Sequence, residues 1–305
     1  MTGPVGLITP SYAGDFERFS LLCDSIDRRL VGYERHYVIV DDEDMGLFQR
    51  FNGGRRVVMP SSRFLPHWLK RVPSLLTKGG RRLWWSLRAP PVRGWHVQQI
   101  LKIAAAAALP EPRHCLIDSD TVFFRPFDIG AYAGGALTPL YCQRAAIGAD
   151  ARWHGPWTRN CDRLLGHPVT RFPADDFIGN VIAWDQRAVR EMIQAIERAT
   201  GMNWPLALCR ARDFSEYLLY GHFVTHCPER LAEHEIRTRS LAVAYWDESA
   251  LDRAAVAQMI AGADEATVAL TVQSFSETSV SAIRAAVGLA RDADPAPSPE
   301  RQHVA

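Results

Sequence analysis

His114-Cys115-Leu116-Ile117-Asp118-Ser119-Asp120 is an apolar run that empties into two carboxylates one residue apart. An extended segment points residues i and i+2 to the same side, so Asp118 and Asp120 can face one point in space where the strand leaves its sheet. Carboxylates crowded together repel unless something positive lies between them. The usual occupant is a hard divalent cation, Mg²⁺ or Mn²⁺, which takes oxygen ligands and keeps positions open for substrate phosphates. The competing reading is a solvated turn, because Asp and Ser are favoured turn residues.

The flanking segments place this run in a sheet. Val5-Gly6-Leu7-Ile8-Thr9-Pro10-Ser11-Tyr12 opens the chain as a short apolar strand, and a helical stretch follows from about Asp15 to Leu30. His36-Tyr37-Val38-Ile39-Val40 then ends on Asp41-Asp42, and Arg56-Val57-Val58-Met59 forms a further strand. Strand, helix, strand, short helix, strand is the pattern of an α/β fold with a mostly parallel central sheet flanked by helices. Ligands of such sheets bind beyond the carboxyl ends of the strands, where Thr9 to Tyr12, Asp41-Asp42 and Asp118 to Asp120 all fall.

Taken together, these stretches resemble the GT-A, Rossmann-like class of nucleotide-sugar glycosyltransferases. More narrowly, they resemble an uncharacterised bacterial family with T-P-S-Y at the start, H-Y-V-I-V-D-D after the first helix, and Q-Q-x-x-K before D-S-D. The likeness runs from about Val5 to Phe275. It implies that Asp118 and Asp120 hold Mn²⁺ or Mg²⁺ against the donor diphosphate, with Ser119 between them. Thr9, Ser11 and Tyr12 would border the nucleotide, and Asp42 would meet the base or ribose. Gln99 and Lys102, on a helix from Trp95 to Ala108, would reach the donor, where a cation stabilises diphosphate charge. Gln273-Ser274, at the end of the last strand, Thr267 to Val272, would return to the phosphates or the metal.

The second half is expected to supply the acceptor side. Asp175-Asp176 precede the strand Val181 to Trp184, and either could bind an acceptor hydroxyl or cap a turn. Beyond a helix from Gln186 to Thr200, Asp213-Phe214-Ser215-Glu216 reads as the start of another helix, with Ser215 or Asp213 as its cap. Glu216 is the first choice for a general base and Asp176 the second, since GT-A enzymes often use an acid in this part of the chain. His222 and His226 are four apart, so a helix would put both on one face, although Val224-Thr225 also suits an extended stretch. Related folds recruit a late histidine, here His226, to the metal; a structural role is the alternative.

Charge is distributed unevenly. The 305 residues carry 35 basic and 34 acidic side chains, yet between Asp44 and Glu111 there are 12 basic residues and no acidic one. The remainder therefore holds 35 − 12 = 23 basic against 34 acidic, a balance of −11. Within that basic region, residues 61–94 interleave arginines with Phe64, Leu65, Trp68, Leu75, Leu76, Trp84, Trp85 and Leu87, and they read as an insertion. Such a segment suits the headgroup layer of an anionic membrane; an insertion folded onto the domain is the alternative. A nucleic-acid partner is not expected, because no nucleic-acid-binding motif accompanies the charge.

Six cysteines without a C-x-x-C pair suit a reduced, cytoplasmic protein, and no stretch reaches the roughly 18 apolar residues of a membrane span. The expectation is a cytoplasmic protein peripheral to the inner face of the cytoplasmic membrane. Residues 1–291 would form one catalytic domain, and the Pro- and Ala-rich residues 292–305 a disordered tail. The expected function is metal-dependent transfer of a sugar to a glycan or lipid-linked acceptor, in glycolipid or surface polysaccharide synthesis. A nucleotidyl- or phosphotransferase on a similar sheet, or a non-catalytic membrane- or glycan-binding protein, are the alternatives. A P-loop and a G-x-G-x-x-G fingerprint are both missing.

Overall fold

The computed structural model describes residues 3–77, 82–211 and 213–289. Its principal elements are β1 (Val5–Ser11), α1 (Phe16–Arg29), β2 (Arg35–Val40), β3 (Arg56–Pro60), β4 (Lys70–Arg71), β5 (Leu83–Trp85), β6 (Val92–Arg93) and α2 (Gly94–Ala108). They continue with β7 (Arg113–Leu116), β8 (Thr121–Phe123), α3 (His154–Leu165), β9 (Ile182–Asp185), α4 (Gln186–Thr200), α5 (Glu216–Thr225), β10 (Ala242–Tyr245) and β11 (Ala269–Val272).

A five-stranded sheet runs in the order β9-β7-β1-β2-β3, with β7, β1, β2 and β3 parallel and β9 antiparallel at the edge. Side-chain alternation decides which core each residue enters. Ile8, Tyr37, Ile39, Leu116 and Trp184 point to the face that α2, α4 and α5 cover. Leu7, Val38, Val40, Cys115 and Ala183 point to the face covered by α1. Burial on both sides explains why these strands are apolar nearly throughout.

A second sheet extends the site. β11 pairs with β10 in parallel and with β8 antiparallel, placing Thr271 opposite Thr121. The chain leaving β11 therefore emerges beside Asp120, whose carbonyl accepts from the Val272 N–H at 3.2 Å. Arg18, in the first turns of α1, braces that exit by donating to the carbonyls of Val272 at 2.9 Å, Ser276 at 3.2 Å and Thr278 at 3.0 Å.

The basic aromatic segment folds as a small antiparallel sheet of β4, β5 and β6. Residues directly opposite in such a sheet share a face. The register sets Arg71 opposite Trp84 and Trp84 opposite Val92, and Lys70 opposite Trp85 and Leu83 opposite Arg93. The first face is inward: Trp84 is 1% exposed and Val92 is buried. Buried Asp41, just past β2, explains the inward arginines, because an unpaired carboxylate there would be costly. Arg82 grips Asp41 with two N–H groups at 2.9 and 3.0 Å, and Arg71 adds a third contact at 3.1 Å. Both guanidinium groups also stack on Trp84. Part of the charge expected to meet a membrane is thus neutralised inside the protein, and Trp84 belongs to its core.

Among the described residues no helix is long and apolar enough to cross a membrane. The cysteines at 23, 115, 142, 161, 209 and 227 are free, and all but Cys227 are buried. The expected tail, residues 292–305, lies outside the described residues.

Candidate active site

Beyond the carboxyl ends of β1 and β7 lies a cleft of about 1300 Å³. Its floor is the D-S-D turn. The strand ends at Leu116, and the Thr121 N–H closes on the Asp118 carbonyl at 3.1 Å, so both aspartates sit in a tight turn past the strand. The alternation expected of an extended segment is therefore replaced by a turn, yet both side chains still line the cleft.

Asp118 is partly exposed, and its Oδ1 meets Lys102 Nζ at 2.7 Å. Lys102 also donates to Glu216 Oε1 at 2.8 Å and to the Tyr217 hydroxyl at 2.9 Å. Burial acts to lower the Lys102 pKa, but Asp118 and Glu216 outweigh it and hold the ammonium well above the ordinary lysine range. Gln99 stands one turn before Lys102 on α2, and its Oε1 accepts the Glu216 N–H at 3.1 Å, fixing the start of α5 against α2. Ser215 caps α5 by accepting from the Tyr217 N–H, as the sequence suggests.

Asp120 is different in kind. Its Oδ1 is buried and has no hydrogen-bond partner among the described residues. Burial pushes its pKa up to about 8, with Asp118 and Asp15 adding repulsion and Arg18 only partly offsetting them. A carboxyl oxygen left bare in a low-dielectric pocket is an acceptor short of a proton or a cation. Gln99 Nε2 is likewise buried and unpartnered among the described residues, a donor without an acceptor.

A hard cation fits this floor: Asp118 and Asp120 supply two carboxylates, and Mg²⁺-type sites commonly complete themselves with substrate phosphates and water. Among the described residues no three His, Cys, Asp or Glu side chains converge as a ligand set of their own. Asp15 was not foreseen here. It closes the Ala13–Asp15 turn just before α1, is buried, and accepts from Ser119 Oγ at 3.1 Å, locking the loop between the two aspartates.

Other expected residues divide. Tyr12, Gln99, Lys102, Ser119, Asp176, Glu216, Gln273 and Ser274 line the cleft, and Arg82 lies 4.3 Å from the Tyr12 ring. Thr9 does not line it; that side chain is fully buried and bonded to His36 Nε2 at 3.0 Å. Ser11, on the same face of β1, is also buried away from the cleft. Asp42 instead organises the turn after β3, accepting from the Ser61 hydroxyl and from the Ser62 N–H and hydroxyl. His226 lies in a separate cavity, with its ring stacked on His167 at 4.3 Å and its Nδ1 at 2.8 Å from the His222 carbonyl. His222 and His226 do share the face of a helix, but His222 is tied to buried Asp162 at 2.8 Å.

The far end of the cleft is aromatic. Trp95 opens α2, two turns or roughly 10 Å along the axis from Lys102. Its ring packs on Trp157 at 5.3 Å, and Trp157 stacks on His154 at 5.2 Å. His154 Nδ1 reaches Asp176 Oδ2 at 3.2 Å. The sequence offers no local signal for this assembly, because its members come from α2, α3 and the strand Ala174–Asp176.

The chain belongs to the family of unknown function DUF6492, whose profile matches residues 4–292. No curated protein matches it.

Proposed function

We propose that this member of DUF6492 is a metal-dependent glycosyltransferase that moves a sugar from a nucleotide-diphosphate donor to a glycan or lipid-linked acceptor. The observation that carries the reading is the pairing, in one cleft, of a buried Asp120 carboxyl whose Oδ1 has no partner among the described residues with an Asp118 carboxylate held by Lys102. A GT-A-like fold is part of the proposal, supported by the β9-β7-β1-β2-β3 strand order with a lone antiparallel edge strand.

Asp118 and Asp120 would hold Mn²⁺ or Mg²⁺, which when bound would neutralise the charge growing on the diphosphate leaving group. The protein's own groups do the rest. Gln99 Nε2 offers an unused donor to a phosphate oxygen, and Gln273-Ser274, delivered by the exit of β11, flank the aspartates. The Tyr12 ring, with the Arg82 guanidinium near it, is a surface on which a nucleobase can lie. Across the cleft, the Trp95–Trp157–His154 wall and Asp176 suit a sugar ring, whose C–H faces pack on aromatics while its hydroxyls seek a carboxylate.

Glu216 takes the acceptor proton. Burial raises its pKa above the ordinary carboxylate range, with Lys102 opposing that rise, a direction that favours uptake of a proton. In an inverting reaction the deprotonated hydroxyl oxygen attacks the anomeric carbon, the bond to the diphosphate breaks, and the electron pair leaves with the nucleoside diphosphate. A cytoplasmic enzyme peripheral to the membrane is the matching location.

The test is a screen of UDP-, GDP-, CMP- and dTDP-sugars for a Mn²⁺-dependent rise in melting temperature, followed by product analysis. Nucleoside diphosphate as product supports glycosyl transfer. Nucleoside monophosphate released from a UDP-, GDP- or dTDP-sugar, with the sugar phosphate passed on, would reassign the protein as a phosphotransferase, and no metal-dependent donor binding would leave it a non-catalytic binder.

A further inference from the structure

The small sheet and the turns beside it carry bare apolar side chains. Leu75 is 96% exposed and Leu87 94%, with Leu76 at 75% and Trp85 at 47%. Aliphatic side chains that protrude this far, all on one small sheet and its adjoining turns, point to a contact surface. They belong to one small structure: the Val72 N–H donates to the Leu83 carbonyl at 2.8 Å, so the Ser74–Leu76 turn adjoins β5. Leu87 follows two residues after Trp85, in the bend that Ser86 holds by accepting from the N–H groups of Arg88 and Ala89.

The charge around this apolar group has one sign. Lys70 stands opposite Trp85 and Arg93 opposite Leu83 on the outward face, and Lys70, Arg88 and Arg93 are exposed. Unlike Arg71 and Arg82, Lys70 and Arg93 have no acidic side chain within ion-pair distance among the described residues. Protruding leucines, an interfacial tryptophan and uncompensated cations match a bilayer whose surface is anionic and whose interior is apolar.

We infer that this face, built on Leu75, Trp85, Leu87 and Lys70, is a docking surface for an anionic lipid bilayer. The face continues into the cleft, since Val72, Leu76, Leu83 and Arg93 line it as well. Docking would therefore set the mouth of the cleft against the membrane, where a lipid-linked substrate is delivered. The docking itself stands whether or not the glycosyltransferase reading holds, because none of its arguments uses the aspartates.

The experiment is co-sedimentation of the full chain with vesicles of phosphatidylcholine alone and of phosphatidylcholine with phosphatidylglycerol, at low and high salt. Binding to the anionic vesicles is expected at low salt and should weaken strongly in 1 M salt, where screening acts over only about 3 Å. Leu75→Ser and Leu87→Ser should each weaken partitioning, by up to roughly ten-fold if the leucine inserts fully. Lys70→Glu should remove part of the salt-sensitive component alone. Both leucines are fully solvated, so an unchanged melting temperature of each variant confirms an intact fold. Failure of the wild-type chain to pellet with anionic vesicles at low salt overturns the inference, as does binding that ignores the leucine substitutions. Concentration-dependent self-association that the same substitutions abolish without lipid would reassign the face to protein contact.

Discussion

The floor of the cleft and its basic wall handle charge in opposite ways. On the wall, the buried carboxylate of Asp41 is answered by Arg71 and Arg82, and what lies outside is bare leucines with Lys70 and Arg93, which have no acidic partner among the described residues. On the floor, Asp118 is answered by Lys102, but Asp120 Oδ1 and Gln99 Nε2 are left inside without partners among the described residues. An unmet need facing inward suits a small, charged ligand; one facing outward suits a surface. The difference separates chemistry from attachment within one continuous cavity.

The comparison breaks most violently at the inward face of the wall. Trp84 is almost fully buried between two guanidinium groups, so Trp84→Ala should cost about 3–5 kcal/mol of stability by denaturant unfolding. A loss below about 1 kcal/mol would mean that the sheet is loosely attached and the inward face decorative. Arg82→Glu should be comparably harmful, since it faces one carboxylate with another.

On the floor, Asp118→Asn and Asp120→Asn should each lower turnover by about 10²–10³-fold or more while the fold persists, measured by nucleoside diphosphate release. Wild-type rates in both variants with excess chelator would end the metal reading. Glu216→Gln is expected to lower kcat by roughly 10²-fold with donor affinity nearly unchanged, because the base acts on the acceptor. Loss of donor binding with intact kcat would instead make Glu216 an anchor for Lys102.

The smallest effect sharpens the contrast through pH. The folded-state pKa of Asp120, about 8, lies above the ordinary 3.8 of an unfolded chain, so the folded protein retains a proton that the unfolded one releases. Stability of the metal-free protein therefore declines as pH climbs from about 4 to about 8 and stops declining above that, as far as this group is concerned. Asp120→Asn removes that decline, so its melting temperature should gain on wild type across the same window, and saturating Mn²⁺ should narrow the gap by stabilising wild type alone. Parallel melting curves at pH 5 and pH 8 would show that Asp120 stays ionised without a metal.

The strands were legible because each is an apolar run ending in polar residues, and D-S-D stood out because it ends such a run. Gln99 and Lys102 are assigned to the donor through the resemblance alone, and both line the cleft. Thr9 and Ser11 stay out of the cleft for a reason the sequence does contain. Val5, Leu7, Thr9 and Ser11 share one parity along β1, and Val5 and Leu7 enter the core beneath α1, so the two hydroxyls go the same way. Being at a strand's end does not by itself turn a side chain toward the ligand. Asp41 pairs with the arginines, while its neighbour Asp42 serves the Ser61-Ser62 turn. Asp15 and the Trp95–Trp157–His154 wall gave no local signal, since contacts such as Asp15 with Ser119 span a sequence gap that only the fold closes. For the basic segment, composition was an incomplete guide: pairing register separated charges that look alike in sequence into an inner set bound to Asp41 and an outer set left free.

An ammonium group has three N–H donors, and those of Lys102 already meet Asp118, Glu216 and the Tyr217 hydroxyl. An arriving phosphate can claim Lys102 only by evicting one of these tenants. If it evicts Asp118, that carboxylate is freed for a cation in the same event; if it evicts Glu216, a carboxylate becomes free to accept a proton. Ligand entry into this cleft is thus a trade of partners at a single nitrogen, and a Lys102→Met chain would have nothing to trade, with Asp118 and buried Glu216 deprived of that cation.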